Sequence, residues 1–221
     1  MPSRAFGVNM AFGRMNMDGK AHWDSIYATR PAQEVSWYRP RLDTSLELIQ
    51  RVGLAATAEI VDIGGGASTL IDDLLRMGFQ NISVLDLSPV ALQKTKDRLG
   101  ASSDRVRWME TDITKANLPV DQFDLWHDRA VFHFLTEPKD RAAYVSAATR
   151  ALKKGAFLVM GTFALDAPAK CSGLNVQRYA PEELAAQFPA FALLDSRLEH
   201  HQTPSAKTQN FTYVLMQKRD T

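Results

Sequence analysis

Apolar positions along the chain follow two alternating spacings. Glu59–Ile63 is a short apolar run, and Ile82–Leu87, Val106–Glu110, Phe123–His127 and Ala156–Phe163 repeat it, as buried strands do. Between such runs the apolar residues recur every three or four positions. Leu42, Leu46 and Ile49 mark a helix over residues 41–52. Leu70, Ile71, Leu74 and Leu75 mark another from Ser68 to Met77, closed by Gly78. Ser88-Pro89 predicts an N-cap with proline at the first helical position, for a helix that runs to Leu99 and stops at Gly100 in a left-handed cap. Thr136 caps a predicted helix through Leu152, with Lys153 and Lys154 in its last turn and Gly155 after it. A short helix at Pro181–Phe188 precedes two strands, Phe191–Glu199 and Phe211–Lys218, read as antiparallel partners. Strand and helix in regular alternation predict an α/β fold. It is a doubly wound three-layer sandwich with right-handed crossovers around a mostly parallel seven-stranded sheet whose last strand is antiparallel. In such sheets ligands bind at the carboxyl ends of the strands.

The first forty residues break this pattern. Trp23, Tyr27, Trp37 and Tyr38 crowd a stretch interrupted by Pro31 and Pro40. Residues 1–40 are read as a cap or lid and residues 41–221 as the main domain. The first 17 residues hold four of the eight methionines, with Arg4 and Arg14 and no acid before Asp18. That composition has a trace of a transit peptide, set against a flexible terminus or lid, because no amphipathic stripe accompanies it.

Composition narrows the partners. Of 221 residues, 45% are apolar and 23% charged, so the chain is a folded domain rather than a disordered one. Lys plus Arg number 26 against 25 acids, a net charge of +1, which gives no electrostatic reason to expect nucleic acid or an anionic membrane. The one cysteine, Cys171, excludes an internal disulfide and fits a reducing, cytoplasmic compartment. No run of 18 apolar residues predicts a membrane span. A monomer or a homodimer is expected.

The chemistry begins at Val61-Asp62-Ile63-Gly64-Gly65-Gly66, between the first strand and the next helix. Glycines there allow a sharp turn and close approach to a ligand, and the helix start behind them presents free N–H groups. Asp86 follows Asp62 by 24 residues, at the tip of the second strand, and Asp112 lies 26 further on, past the third. In a doubly wound sheet these tips share one edge, so the carboxylates converge. An acid at the second tip suits a ribose diol. A dinucleotide reader wants a third glycine where Thr69 stands, and Asp62 at the loop repels pyrophosphate but suits an ammonium group.

On these residues, together with Leu85-Asp86-Leu87-Ser88 and Thr111-Asp112-Ile113, the chain resembles the class I S-adenosylmethionine-dependent methyltransferases over about residues 41 to 221. The resemblance implies the Rossmann-like methyltransferase fold and S-adenosyl-L-methionine as cofactor. It implies that Asp62, Gly64, Gly65 and Gly66 lie against the cofactor's amino-acid part and that Asp86 holds the ribose hydroxyls. Asp112 accepts from the adenine amine, with Leu87 and Ile113 beside it. Gly65 stands where the family often has cysteine or another small residue. A narrower similarity, through Trp23-Asp24-Ser25-Ile26-Tyr27, Ser36-Trp37-Tyr38 and Gly66-Ala67-Ser68-Thr69-Leu70, is to a branch that includes lysine methyltransferases of translation elongation factors. In that branch the N-terminal aromatic segment, here with Tyr27 and Trp37, closes over the cofactor.

Methyl transfer from a sulfonium is a direct displacement, so few catalytic residues are required. The segment after the fourth strand, Trp126-His127-Asp128-Arg129-Ala130-Val131-Phe132-His133-Phe134, supplies the candidates. His127 or His133 offers a base near neutral pH, Asp128 an orienting acid and Arg129 a carboxylate clamp. Against these stand a simple Asp128–Arg129 pair and a buried structural His133. The long stretch Asp166–Tyr179, holding Cys171, is a candidate lid. His200, His201 and Gln209 are candidates for the pocket edge. The adjacent histidines point apart on a strand, so no metal is expected. The expected function is methyl transfer to an N, O or S nucleophile, on a small molecule or, alternatively, on a protein lysine. A non-catalytic cofactor-binding module and a dinucleotide oxidoreductase are the other readings.

Overall fold

The computed structural model describes residues 15–220. The methionine-rich start falls mostly on residues 1–14, outside the described residues. Met15–Met17 open the first helix.

The elements run α1 (Met15–Thr29), α2 (Asp43–Val52), β1 (Glu59–Ile63), α3 (Leu70–Arg76), β2 (Asn81–Asp86), α4 (Pro89–Leu99), β3 (Val106–Glu110), β4 (Phe123–Arg129), α5 (Pro138–Ala151), β5 (Leu152–Phe163), β6 (Lys170–Cys171), β7 (Leu174–Asn175), α6 (Pro181–Ala186), β8 (Phe191–Gln202) and β9 (Thr208–Lys218). Seven strands make one sheet in the order β3-β2-β1-β4-β5-β9-β8, while β6 and β7 form a separate hairpin. Strands β1 to β5 pair in parallel, and β9 runs antiparallel to both β5 and β8. The strand order reverses between β1 and β4, which opens the ligand crevice there.

Alternation along the strands divides the core. Val61, Ile63 and Trp126 face one layer with Tyr144 of α5 and Leu184 of α6. Ile60 and Leu125 face the other, with Leu46 and Ile49 of α2 and Leu70, Ile71 and Leu74 of α3. Burying so many branched side chains on both faces is what holds the sheet, at roughly 1.5–3 kcal/mol for each fully buried residue.

Three boundary details differ from the sequence expectation. The helix α5 begins at Pro138, with Glu137 as a residue that caps through no side-chain bond. Leu152 is already extended, at φ −78° and ψ 138°, so Lys153 and Lys154 belong to β5 and Arg150 is the base in the last helical turn. Gly100 has φ 54° but ψ −131°, outside the left-handed helical region, because a 3-10 segment over Gly100–Arg105 continues the chain. The left-handed cap belongs instead to Gly53, whose N–H donates to Gln50 O at the end of α2. The Ser88 cap stands as read: its Oγ accepts from Ala91 N at 3.2 Å, with Pro89 starting α4.

The N-terminal helix α1 lies over the open end of the sheet. Asp24 Oδ1 accepts from Ser88 Oγ at 2.6 Å, Arg30 O accepts from Lys94 Nζ at 2.8 Å, and Lys20 pairs with Glu110. After it, residues 35–39 cross the sheet edge as a strap. Trp37 O accepts from Arg129 Nη1, Ser36 O from His201 and Arg39 O from Thr69 Oγ1.

Candidate functional site

Two cavities open beside the carboxyl ends of the central strands, and they share Tyr27, Trp37, Ile63, Gly64 and Arg129 as walls. Asp86, Leu87, Asp112 and Ile113 line the first, and Asp62, Gly65 and Arg39 line the second. The acids of the three strands therefore gather at one end of the sheet, in adjoining spaces.

Asp86 ends β2 and is 7% exposed. Its oxygens accept from Gly66 N at 2.9 Å and Ser88 N at 2.8 Å. Burial pushes its carboxyl up to about 6 against the pull of those backbone donors. Asp112 Oδ1 accepts from Thr114 N at 2.9 Å and Thr114 Oγ1 at 2.7 Å, and Oδ2 lies 3.8 Å from Lys115 Nζ.

The glycine loop is spaced by contact, not by flexibility alone. Gly64 has φ +68°, and a Cβ on it would stand 2.1 Å from Val131 Cγ2. A Cβ on Gly66 would lie 2.6 Å from Asp86 Oδ2, and one on Gly65 would lie 2.2 Å from Asp62 Oδ2. The loop is thus fitted closely to the two acids that flank it.

Asp62 is 1% exposed. Its Oδ1 bonds His127 Nδ1 at 2.7 Å, while Oδ2 is buried without a hydrogen-bond partner among the described residues. An unpaired buried carboxylate oxygen on a cavity wall calls for a donor from a ligand. Arg39, absent from the sequence-level candidates, lines the same cavity; its guanidinium lies 3.8 Å from both Asp43 and Glu199, and its Nε donates to Arg41 O at 3.4 Å. Asp62 and Arg39 on one small cavity match an α-amino-acid group, and Asp86 and Asp112 on its neighbour match hydroxyls and an amine. The residues present fit S-adenosylmethionine. Arg39 was missed because a single basic residue in an irregular strap has no periodic signal.

The segment after β4 is engaged by the protein itself. Asp128 is fully buried, lines neither cavity, and accepts from Val131 N at 2.9 Å, Phe132 N at 3.1 Å and Tyr144 OH at 2.5 Å. Burial raises its carboxyl to about 6. Arg129 lines both cavities but donates Nε to Tyr213 OH at 2.8 Å, Nη1 to Trp37 O at 2.8 Å and Nη2 to Glu199 at 3.1 Å. Arg129 and Asp128 thus point to opposite layers and do not pair. His127 is on the wall of the second cavity only, held between Asp62 and Ser45. Ala130, next in line, has φ 73°, a strained conformation for alanine on the wall of the first cavity.

His133 is fully buried between Phe134 and Phe163, accepts from Phe163 N at 3.2 Å, and burial lowers its pKa to about 3. Cys171 lines the first cavity, its thiol pushed up to about 11 by burial. Gln209 lines neither cavity; it and His201 hold the Ser36 strap, while His200 faces outward to Asn210. Trp23, Tyr27, Trp37 and Phe134 complete the first cavity's wall. Trp23 meets Trp37 edge-on at 5.6 Å and Phe134 at 5.1 Å. Among the described residues no helix is long and apolar enough to cross a membrane.

Residues 60–155 match the family model of a methyltransferase domain. Over 161 residues the chain is 26% identical to EEF1A lysine methyltransferase 2 of Homo sapiens, covering 63% of this chain and 66% of that one. Over 140 residues it is 24% identical to the eEF1A lysine and N-terminal methyltransferase homolog of Drosophila melanogaster, covering 61% of this chain and 20% of that one. The chain therefore spans from a fifth to just under two thirds of the length of these relatives. In three dimensions it resembles the 1,6-didemethyltoxoflavin-N1-methyltransferase of Burkholderia thailandensis, whose crystal structure holds that compound and S-adenosylhomocysteine. The TM-score is 0.66 at 18% identity, over 92% of this chain and 85% of that one. The fold is that of the Rossmann-like S-adenosylmethionine-dependent methyltransferases. Within that fold, residues 60–155 are the part of the chain that matches a methyltransferase domain.

Proposed function

We propose that the protein transfers a methyl group from S-adenosylmethionine to an N, O or S nucleophile of a small molecule. One observation carries the reading: Asp62, whose Oδ2 is buried without a partner among the described residues, lines one cavity with Arg39, and Asp86 and Asp112 line the adjoining one. Asp62 receives the ammonium group and Arg39 the carboxylate of the amino-acid part. Asp86 accepts from the ribose hydroxyls, and Asp112 accepts from the adenine amine between Leu87 and Ile113. Gly64, Gly65 and Gly66 allow the close approach. Bound there, the cofactor supplies a methyl on a positively charged sulfur, ready for displacement. The protein's part is alignment and exclusion of water, supplied by Tyr27, Trp37, Trp23 and Phe134.

The acceptor side of the first cavity is walled by Val131, Phe134, Leu135 and Cys171, a mainly apolar lining of the kind that holds small molecules. Asp128 and Arg129 act by shaping that wall, since their polar atoms serve protein partners. A protein lysine is the second reading, favoured by the names of the relatives and by aromatic faces that attract an amine cation. Residues 1–40 serve as the cap and 41–221 as the catalytic domain, in a monomer or homodimer. The buried, single Cys171 suits the cytoplasm.

Calorimetry with S-adenosylhomocysteine and NAD tests the cofactor: tight binding of the first and none of the second is the expected result. Cell extract incubated with the protein and radiolabelled cofactor then shows whether label enters metabolites or protein. Tight binding with no labelled product from any extract would support a binding module instead.

A further inference from the structure

The residues around His127 form a connected set of hydrogen bonds across the sheet face covered by α2. Asp62 and His127 are register partners on β1 and β4. Two residues on, Arg129, Gly161 and Tyr213 form the next row across β4, β5 and β9. Gly161 is needed in that row: a Cβ there would meet the Tyr213 ring at 2.8 Å. Its missing side chain lets Arg129 reach over β5 to Tyr213 OH. Ser45 comes down from α2 and joins the two rows, with Oγ 2.9 Å from His127 Nε2 and 3.5 Å from Tyr213 OH. Every member other than Arg129, itself mostly enclosed, is within a few per cent of full burial, so each proton needs a place to go.

The donors fix the direction. Arginine only donates, so the Tyr213 oxygen accepts from Arg129 Nε, and Ser45 Oγ, which faces the same oxygen as a donor at 3.5 Å, has a shorter alternative in His127 Nε2 at 2.9 Å. The single Ser45 proton then takes the shorter contact, to His127 Nε2. That nitrogen must be unprotonated, so the ring carries its proton on Nδ1 and donates it to Asp62 Oδ1. We infer that Ser45, His127 and Tyr213 are positioning residues that hold the Asp62 carboxylate with one oxygen pinned and the other turned free for the ammonium group of the ligand. The inference rests on the reading of the second cavity as the amino-acid end of the cofactor site. His127 in this arrangement is a donor within the protein, engaged by Asp62 and Ser45.

The test separates the amino-acid end from the nucleoside end. S-adenosylhomocysteine has both, whereas 5′-methylthioadenosine has only the nucleoside. Ser45→Ala and Tyr213→Phe remove one hydroxyl each and leave the packing nearly intact. Each is expected to weaken S-adenosylhomocysteine binding by about tenfold, the effect of one broken buried bond. Binding of 5′-methylthioadenosine should stay within about twofold of wild type, and Ser45→Thr should restore the first ligand. Nitrogen-15 spectra of the wild-type protein should place the His127 proton on Nδ1, and the Ser45→Ala spectrum should show that preference lost. A proton on Nε2 in the wild type would overturn the inference, as would equal weakening of both ligands or no weakening of either. If the wild type binds neither ligand, the cofactor reading fails on its own, and the spectra still decide the tautomer.

Discussion

The two layers beneath β4 treat adjacent residues in opposite ways. On the α5 side, Asp128 meets three protein donors and lines neither of the two cavities. On the α2 side, His127 leads through Asp62 to an oxygen with no partner among the described residues. Both are buried and polar, but one set of bonds is closed and the other is left incomplete. A closed set stabilises the fold, because every polar group lost from water has been matched. An open set costs stability until a ligand completes it, which marks a binding site.

Four experiments sharpen or break this contrast. The largest effect is expected for Asp128→Ala, which strands Tyr144 OH and two backbone N–H groups in the core. Stability should fall by about 3 kcal/mol, read as a drop in denaturation midpoint. An unchanged midpoint with a collapse in kcat would make Asp128 catalytic and remove the contrast. Next comes Asp86→Ala, which should weaken S-adenosylhomocysteine by about 1–3 kcal/mol in calorimetry while the unliganded fold persists. Wild-type affinity would move the ribose site elsewhere.

The third is a pH titration. Asp86 holds its proton up to about 6 because it is buried, and only the ionised form accepts from both ribose hydroxyls. Affinity for S-adenosylhomocysteine should therefore rise about tenfold from pH 5 to pH 7 and level off above. In the unliganded protein the sign reverses. The folded state keeps the Asp86 and Asp128 protons longer than the unfolded chain does, so these two groups lower stability as pH climbs from about 4 to 6. Asp86→Asn should flatten the binding profile, and a profile that keeps its slope would assign the proton to another group. The smallest effect is expected for Phe134→Leu, which trims the aromatic wall. The acceptor KM should rise by a few fold, about 1 kcal/mol, with cofactor affinity within twofold. A loss in cofactor affinity instead would place Phe134 at the cofactor end.

Legibility in the sequence follows the same division. Asp62, Asp86 and Asp112 could be read because each sits at a strand tip, and strand tips of a parallel sheet share one edge by topology. The Ser88 cap could be read because its partner is three residues away. The fates of His127, Asp128 and Arg129 could not. Alternation sends neighbours to opposite layers, but which partner waits there depends on Ser45, Tyr144, Tyr213 and Glu199, from four elements far apart in the chain. Arg39 and the gap left by Gly161 were hidden for the same reason.

The sequence alone determined the element order, the glycine turn and the acids around it, since these depend on local spacing and on chain connectivity. Only the tertiary structure decided which polar side chains are used up inside the protein and which are left for a ligand. That balance is set when distant segments bury one another, and no local pattern records it.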